Sequence, residues 1–255
     1  MYLTLPDVRS LARENPKTTA WMEMRALEAA AAGRPQRREF RWVPYSRISS
    51  NLKRAVIVTE DSKFWDHEGV DLEQIKESIE VNVEKMKAMR GGSTVTQQLA
   101  KNLYLSPSRN PIRKLRELIL ARRLEATLSK ARILELYLNV IEWGDGVWGA
   151  EAAARRYFGV SASALTAPQS ALLAGAIRNP HIMNPGRPSG RLLRLQARIL
   201  RNMNYVEPPA AVPVVMETPV DSAAPPALTE PVPPEPAPPP PVKPPTPCPV
   251  PPCTP

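Results

Sequence analysis

Cysteine is almost missing from this chain: the only two, Cys248 and Cys253, stand close to the C-terminus. Everything before them must fold without a disulfide, and the thiols leave the redox compartment open. Histidine is equally scarce. His67 has no second histidine near it in the sequence, and His181 sits in a proline-rich loop, so the spacing excludes an ordinary zinc site. No apolar run approaches the ~20 residues that span a bilayer. The longest patches are short, such as Ala171–Ile177, and the N-terminus lacks the apolar core of a secretory signal. Internal repeats and βαβ alternation are absent too.

Proline is abundant, and its distribution divides the chain. About two-thirds of the 31 prolines follow Glu207. Such a segment cannot bury enough apolar surface to offset the entropy of ordering, and it favours extended polyproline II. The sequence therefore predicts one domain over 1–205 and a disordered proline-rich tail over 206–255. The tail holds five acids (Glu207, Glu217, Asp221, Glu230, Glu235) against Lys243, a net −4. The whole chain carries +9, which leaves +13 on the domain. A surface of that charge attracts polyanions, anionic lipid or phosphorylated substrates. An aromatic-interleaved basic stretch or a nucleic-acid reading motif is missing, so no nucleic-acid partner is expected.

Helical periodicity dominates the domain. Leu72, Ile75, Ile79 and Val83 recur at helical spacing. Thr94-Val95-Thr96-Gln97 fits a capping box, which predicts a helix from about Thr94 to Tyr104. Asn110-Pro111 suits an N-cap followed by proline at the first helical position. From there Ile112, Leu115, Ile119, Leu124 and Leu128 form an apolar stripe. Ser129 can cap a helix holding Ile133, Leu134, Tyr137 and Leu138, and Gly144-Asp145-Gly146 is a turn. Further helices are expected over 151–158, 167–177 and 191–205. Phe40–Val43 reads as extended, and Ala55–Val58 is ambiguous between strand and buried helix. The fold class is mainly α.

Three clusters can carry chemistry. Glu60 follows the apolar run Ala55–Val58, with Asp61 beside it. Partial desolvation and like charge both raise a carboxyl toward general acid–base use, although a solvated Glu-Asp pair would look the same. His67 reads as structural, bonded to backbone near Gly69. The run Gly91-Gly92-Ser93-Thr94-Val95-Thr96-Gln97-Gln98-Leu99-Ala100-Lys101-Asn102 offers glycine backbone, hydroxyls, amides and a cation. Gln98, Lys101 and Asn102 share one helix face, which suits an anion but also an ordinary solvated face. Arg109 and Arg113-Lys114-Leu115-Arg116-Glu117 form the third cluster: Glu117 shares a face with Arg113 and Lys114, as a pyrophosphate clamp or a surface ion-pair ladder would. Two carboxylates with many cations suggest sugar transfer from a phosphate-activated donor.

Four segments, 60–69, 91–98, 113–117 and 132–139, resemble in order and spacing the motifs of the peptidoglycan glycosyltransferase family, and 144–154 with 157–159 look like its next segment. The resemblance covers roughly residues 5–204, and no transpeptidase domain follows. It implies a lysozyme-like, two-lobed α domain with a cleft. It also implies lipid II and the growing glycan strand as substrates. Glu60 matches the catalytic base and Glu117 the second glutamate. Ser93, Thr94, Gln97, Gln98, Lys101, Asn102, Arg109, Arg113 and Lys114 match donor and diphosphate contacts. Glu135 and Asn139 match a structural motif. No cofactor is required by the resemblance, although a divalent cation (Mg or Mn) helps some members at the diphosphate. The implied location is the outer, periplasmic face of the bacterial inner membrane, with other cell-wall synthesis proteins as partners. Members normally carry an N-terminal transmembrane anchor. None precedes the matched region here, which points to an incomplete reading frame or to peripheral docking on anionic membrane. A lysozyme-like hydrolase and a non-catalytic precursor-binding scaffold are the rival readings.

Overall fold

The computed structural model describes residues 5–35, 37–69, 93–106 and 111–204. The helical stripe at Leu72–Val83, Gly91, Gly92, Arg109, Asn110 and the proline-rich tail lie outside the described residues.

Eight α-helices form among the described residues: α1 Ala20–Ala31, α2 Ser50–Glu60, α3 Val95–Tyr104, α4 Pro111–Thr127, α5 Lys130–Val140, α6 Ala150–Phe158, α7 Ala167–Ala176 and α8 Gly190–Met203. The expected mainly α class holds. None of these helices is long and apolar enough to cross a membrane. Hydroxyl caps set most of the starts. Thr19, Ser49, Thr94, Ser129, Thr166 and Ser189 each accept a backbone N–H of the first turn. Each such cap is worth about 1 kcal/mol. Ser49 also settles the ambiguity at Ala55–Val58: the run is helical, because the capped turn places Leu52, Ala55 and Val56 on one buried face.

Three expectations need adjustment. The capping box at Thr94 is only half formed. Thr94 Oγ1 accepts from Gln97 N at 3.2 Å, but the Gln97 amide turns away, donating to the Gly69 carbonyl at 3.3 Å and accepting from Lys114 at 3.0 Å. The buried face of α4 is also displaced from the expected stripe. Glu117, Leu120, Ala121, Leu124 and Leu128 point inward, while Ile112 and Leu115 are exposed. The reason is local: the first turns of α4 give their inward positions to charge, and apolar packing begins only at Leu120. Third, Phe40–Val43 is a strand only at Glu39–Phe40 (β1). At Val43 the partner is a side chain. Asn139 accepts from Val43 N at 2.9 Å and donates to Val43 O at 2.8 Å, so a fully buried amide stands in for a neighbouring strand.

The glycine turn at 144–146 joins two short strands, β2 Glu142–Gly144 and β3 Val147–Trp148. The small sheet runs β1-β3-β2, with β1 parallel and β2 antiparallel to β3. Gly149 then enters α6 at φ 82°, and a Cβ there would sit 2.7 Å from the Asn139 carbonyl oxygen. Glycine alone permits that approach. One buried core runs through α2, α3, α5, α6 and α7, with Tyr137, Trp143, Leu134 and Leu99 among its fully covered side chains. α2 packs on α7 and α8, while α3 packs on α1, α4 and α5. The C-terminal end of α2 and the start of α3 therefore come together, and the candidate residues lie there.

Candidate active site

The site is built around the last residue of α2. Ala55, Val56 and Ile57 anchor that helix in the core, and Glu60 emerges at its end, half-buried. Its Oε2 accepts from Gln98 Nε2 on α3 at 2.9 Å. Its Oε1 is buried and has no hydrogen-bond partner among the described residues. Burial pushes the Glu60 carboxyl above its ordinary value. The Gln98 hydrogen bond and the charges of Arg178 and Lys101 pull the other way, and Asp61 adds the smallest upward push.

Asp61, next in sequence, does different work. It is buried and receives Val95 N at 2.9 Å, satisfying a free donor at the start of α3. It also faces His67 Nε2 at 3.0 Å, while His67 Nδ1 accepts from Gly69 N at 3.1 Å. That pattern fixes the tautomer with the proton on Nε2. His67 is structural, as its neighbourhood in the sequence implies, although the Asp61 contact is not visible there.

The expected polar run folds onto α3 and divides by role. Thr94 donates to the Gly69 carbonyl at 2.8 Å and caps α3, so its hydroxyl is engaged within the protein. Gln97 bridges Gly69 and Lys114. Asn102 Nδ2 donates to the Gln98 carbonyl at 2.8 Å. Ser93 Oγ receives Lys114 Nζ at 3.2 Å. Lys114 thus ties the start of α3 to α4, and with Arg113 it encloses Glu117. Arg113 Nη1 lies 2.9 Å from Glu117 Oε2, and Lys114 Nζ contacts Oε1. Glu117 is only 3% exposed, so the two half-exposed cations close over a buried carboxylate and do not form a surface ladder. Lys101 connects the two carboxylates. Burial pushes its ammonium below the usual lysine value, while Glu117 and Glu60 both act on it in the opposite sense. The structure therefore brings Glu60, Gln98, Lys101, Arg113, Lys114 and Glu117 into one electrostatic unit.

Several neighbours carry no obvious signal in the sequence. Tyr137, expected as core, sends its hydroxyl to Gln98 Oε1 at 2.9 Å. Trp21 lies under Lys101, whose Nζ is 5.3 Å from the ring centroid, with Arg25 at 5.7 Å. Arg178, just after α7, acts on Glu60 and lines a groove with Arg191, Arg194, Arg198 and Arg201 of α8. The available signal was negative: no Asp or Glu occurs between Glu151 and Glu207. Elsewhere His181 lies 3.1 Å from Glu142 and 3.8 Å from Asp145, but Arg25 Nε already pairs with Glu142 at 3.2 Å. Glu135 pairs with Arg132 at 2.8 Å and, like Asn139, holds structure.

Comparison with known proteins shows the family. A protein of Laribacter hongkongensis named biosynthetic peptidoglycan transglycosylase is 49% identical over 195 residues, 76% of this chain and 86% of that protein. Proteins of the same name from Chromobacterium violaceum and Herminiimonas arsenicoxydans are 52% identical over 169 residues and 48% over 196. The first pairing covers 66% of this chain and 74% of the relative, the second 76% and 84%. The family profile described as Transglycosylase matches residues 26–204, a span that holds Glu60, Glu117, Lys101, Arg113, Lys114 and Arg178, and by that match the chain belongs to the transglycosylase family.

Proposed function

We propose that this chain is a peptidoglycan glycosyltransferase that joins lipid II units into glycan strands, with Glu60 as general base. One observation carries the reading: a half-buried carboxylate with one oxygen fixed by Gln98 and the other without a partner among the described residues, acted on by both Lys101 and Arg178. Glu60 Oε1 takes the proton from the acceptor's 4-hydroxyl. That oxygen attacks the donor's anomeric carbon from the face opposite the diphosphate, and the carbon–oxygen bond to undecaprenyl diphosphate breaks with inversion. The departing oxygens gain negative charge as the bond breaks. Lys101, Arg113 and Lys114 are arranged to receive it, with Arg109 as a further candidate, and Glu117 keeps Arg113 and Lys114 in place. Gln97 and Ser93 hold Lys114, while Thr94 and Asn102 keep α3 in register.

The arginine groove that begins at Arg178 suits the diphosphate of the incoming acceptor, so each basic group serves one lipid phosphate pair. A divalent cation fits this site poorly. Glu117 stands among the cations with both carboxylate oxygens already on Arg113 and Lys114. We therefore assign the diphosphate charge to side chains. Lipid-linked substrates call for a membrane surface, which we assign to the outer face of the inner membrane, and the basic domain suits an anionic surface.

The test is direct. The purified chain, incubated with labelled lipid II in detergent, should yield glycan polymer, and Glu60→Gln should yield none, a loss of at least ~100-fold. Absence of polymer from wild type, under conditions where an active polymerase makes it, would sink the reading.

A further inference from the structure

Tyr137 sits in the middle of α5, fully buried among apolar side chains. Its ring would satisfy that environment without a hydroxyl. The hydroxyl nevertheless donates to Gln98 Oε1 at 2.9 Å, and Gln98 Nε2 donates to Glu60 Oε2 at 2.9 Å. A glutamine amide has nearly the same shape when turned over, with oxygen and nitrogen exchanged. Turned over here, its oxygen would face the carboxylate and its N–H2 would face a phenol proton. The Glu60 carboxylate and the Ser93 carbonyl, 3.5 Å from Nε2, call for N–H on their side, and the phenol holds the other end by donating to Oε1. Burial first, then the charges of Glu60 and Asp61, push Tyr137 well above the ordinary tyrosine value, so it stays a donor across the working pH range.

We propose that Tyr137 is a positioning residue: it locks the Gln98 amide so that N–H faces Glu60 Oε2, leaving Oε1 as the oxygen that takes the substrate proton. The role in turnover rests on the reading of Glu60 as the base. The groups that face Glu60 come from four places. Asp61 adjoins it, Gln98 and Lys101 come from α3, Arg178 follows α7, and Tyr137 acts from α5 through the amide. Gln98 and the two cations hold the carboxyl down against burial and Asp61. Loss of the ordered amide therefore moves the carboxyl up.

Tyr137→Phe removes the hydroxyl and keeps the ring. In that variant the acid limb of the kcat/KM–pH profile should move up by about half to one pH unit. The KM for lipid II on the high-pH plateau should not change. Gln98→Ala should move the limb by a similar amount, and adding Tyr137→Phe to it should change nothing more. Carbon-13 titration of the Glu60 carboxyl reads the same shift without turnover, so it separates this proposal from the polymerase reading. Wild type that makes no polymer, with a Glu60 titration that still responds to Tyr137→Phe, refutes the function and upholds the positioning. A Tyr137→Phe variant that melts earlier yet titrates like wild type makes the residue packing only and overturns the proposal, as would additive shifts in the double variant.

Discussion

Glu60 costs the fold stability. Its folded carboxyl is raised above the ordinary value, chiefly by burial, and Oε1 has no partner among the described residues. The folded state therefore holds a proton more tightly than the unfolded state. Stability from this group is complete below the unfolded value and falls as pH rises through the raised folded value. Glu60→Gln removes the charge and keeps the shape. We expect the variant to melt at or above the wild-type temperature near pH 8, with the difference closing toward pH 4. A thermal scan across that range checks it, and a variant less stable at pH 8 would mean that the carboxylate is held by contacts outside this description. Activity and stability then move in opposite directions at one residue, as is common where a site stores strain.

At the level of elements, the start of α3 is where the site is made. Asp61 closes that end by accepting Val95 N while holding His67, and both contacts are buried. Asp61→Ala leaves those donors unsatisfied, so it should cost about 2–3 kcal/mol in a denaturant titration. At Gly149 a side chain would meet the Asn139 carbonyl and a positive φ together. Gly149→Ala should cost at least ~1–2 kcal/mol and loosen the Asn139 bridge to Val43, readable as faster amide exchange at Val43. These elements also show how far a sequence can be read. The capped starts at Thr94 and Ser129 and the proline at position 111 are local signals, and the helices begin there. α1 escapes because only Met22 on it is buried, which leaves almost no apolar stripe to detect. The inward face of α4 escapes because it begins with a charged cluster, and burial of Glu117 is visible only once Arg113 and Lys114 are seen to close on it. In the site, Glu60, Gln98, Lys101 and Glu117 are legible as chemistry. Tyr137 and Trp21 are not, because an aromatic at helical spacing reads as core until its partner across the fold is known.

Across the described residues of the folded unit, cations gather around one carboxylate. Lys101, Arg113 and Lys114 approach from α3 and α4, and Arg178, whose charge acts on Glu60, lines a groove with the arginines of α8. If both groups merely attracted anions, their removal would weaken binding alike. The proposed reaction separates them. Charge grows on the departing diphosphate only as the sugar bond breaks, so a cation on that side stabilises the transition state more than the bound substrate. A cation on the acceptor diphosphate meets the same charge before and during reaction, and it contributes equally to both. Lys114→Gln should therefore lower kcat by about 10- to 100-fold with a small change in KM. Arg194→Gln with Arg198→Gln should raise KM several-fold and leave kcat near wild type. The exposed arginines should also show the steeper salt dependence, because solvent ions screen them better than the buried cluster. Steady-state kinetics on lipid II at two ionic strengths distinguish the cases. The reverse pattern, with kcat falling for the arginine pair and KM rising for Lys114→Gln, would exchange donor and acceptor sides and redraw the direction in which the strand grows past Glu60.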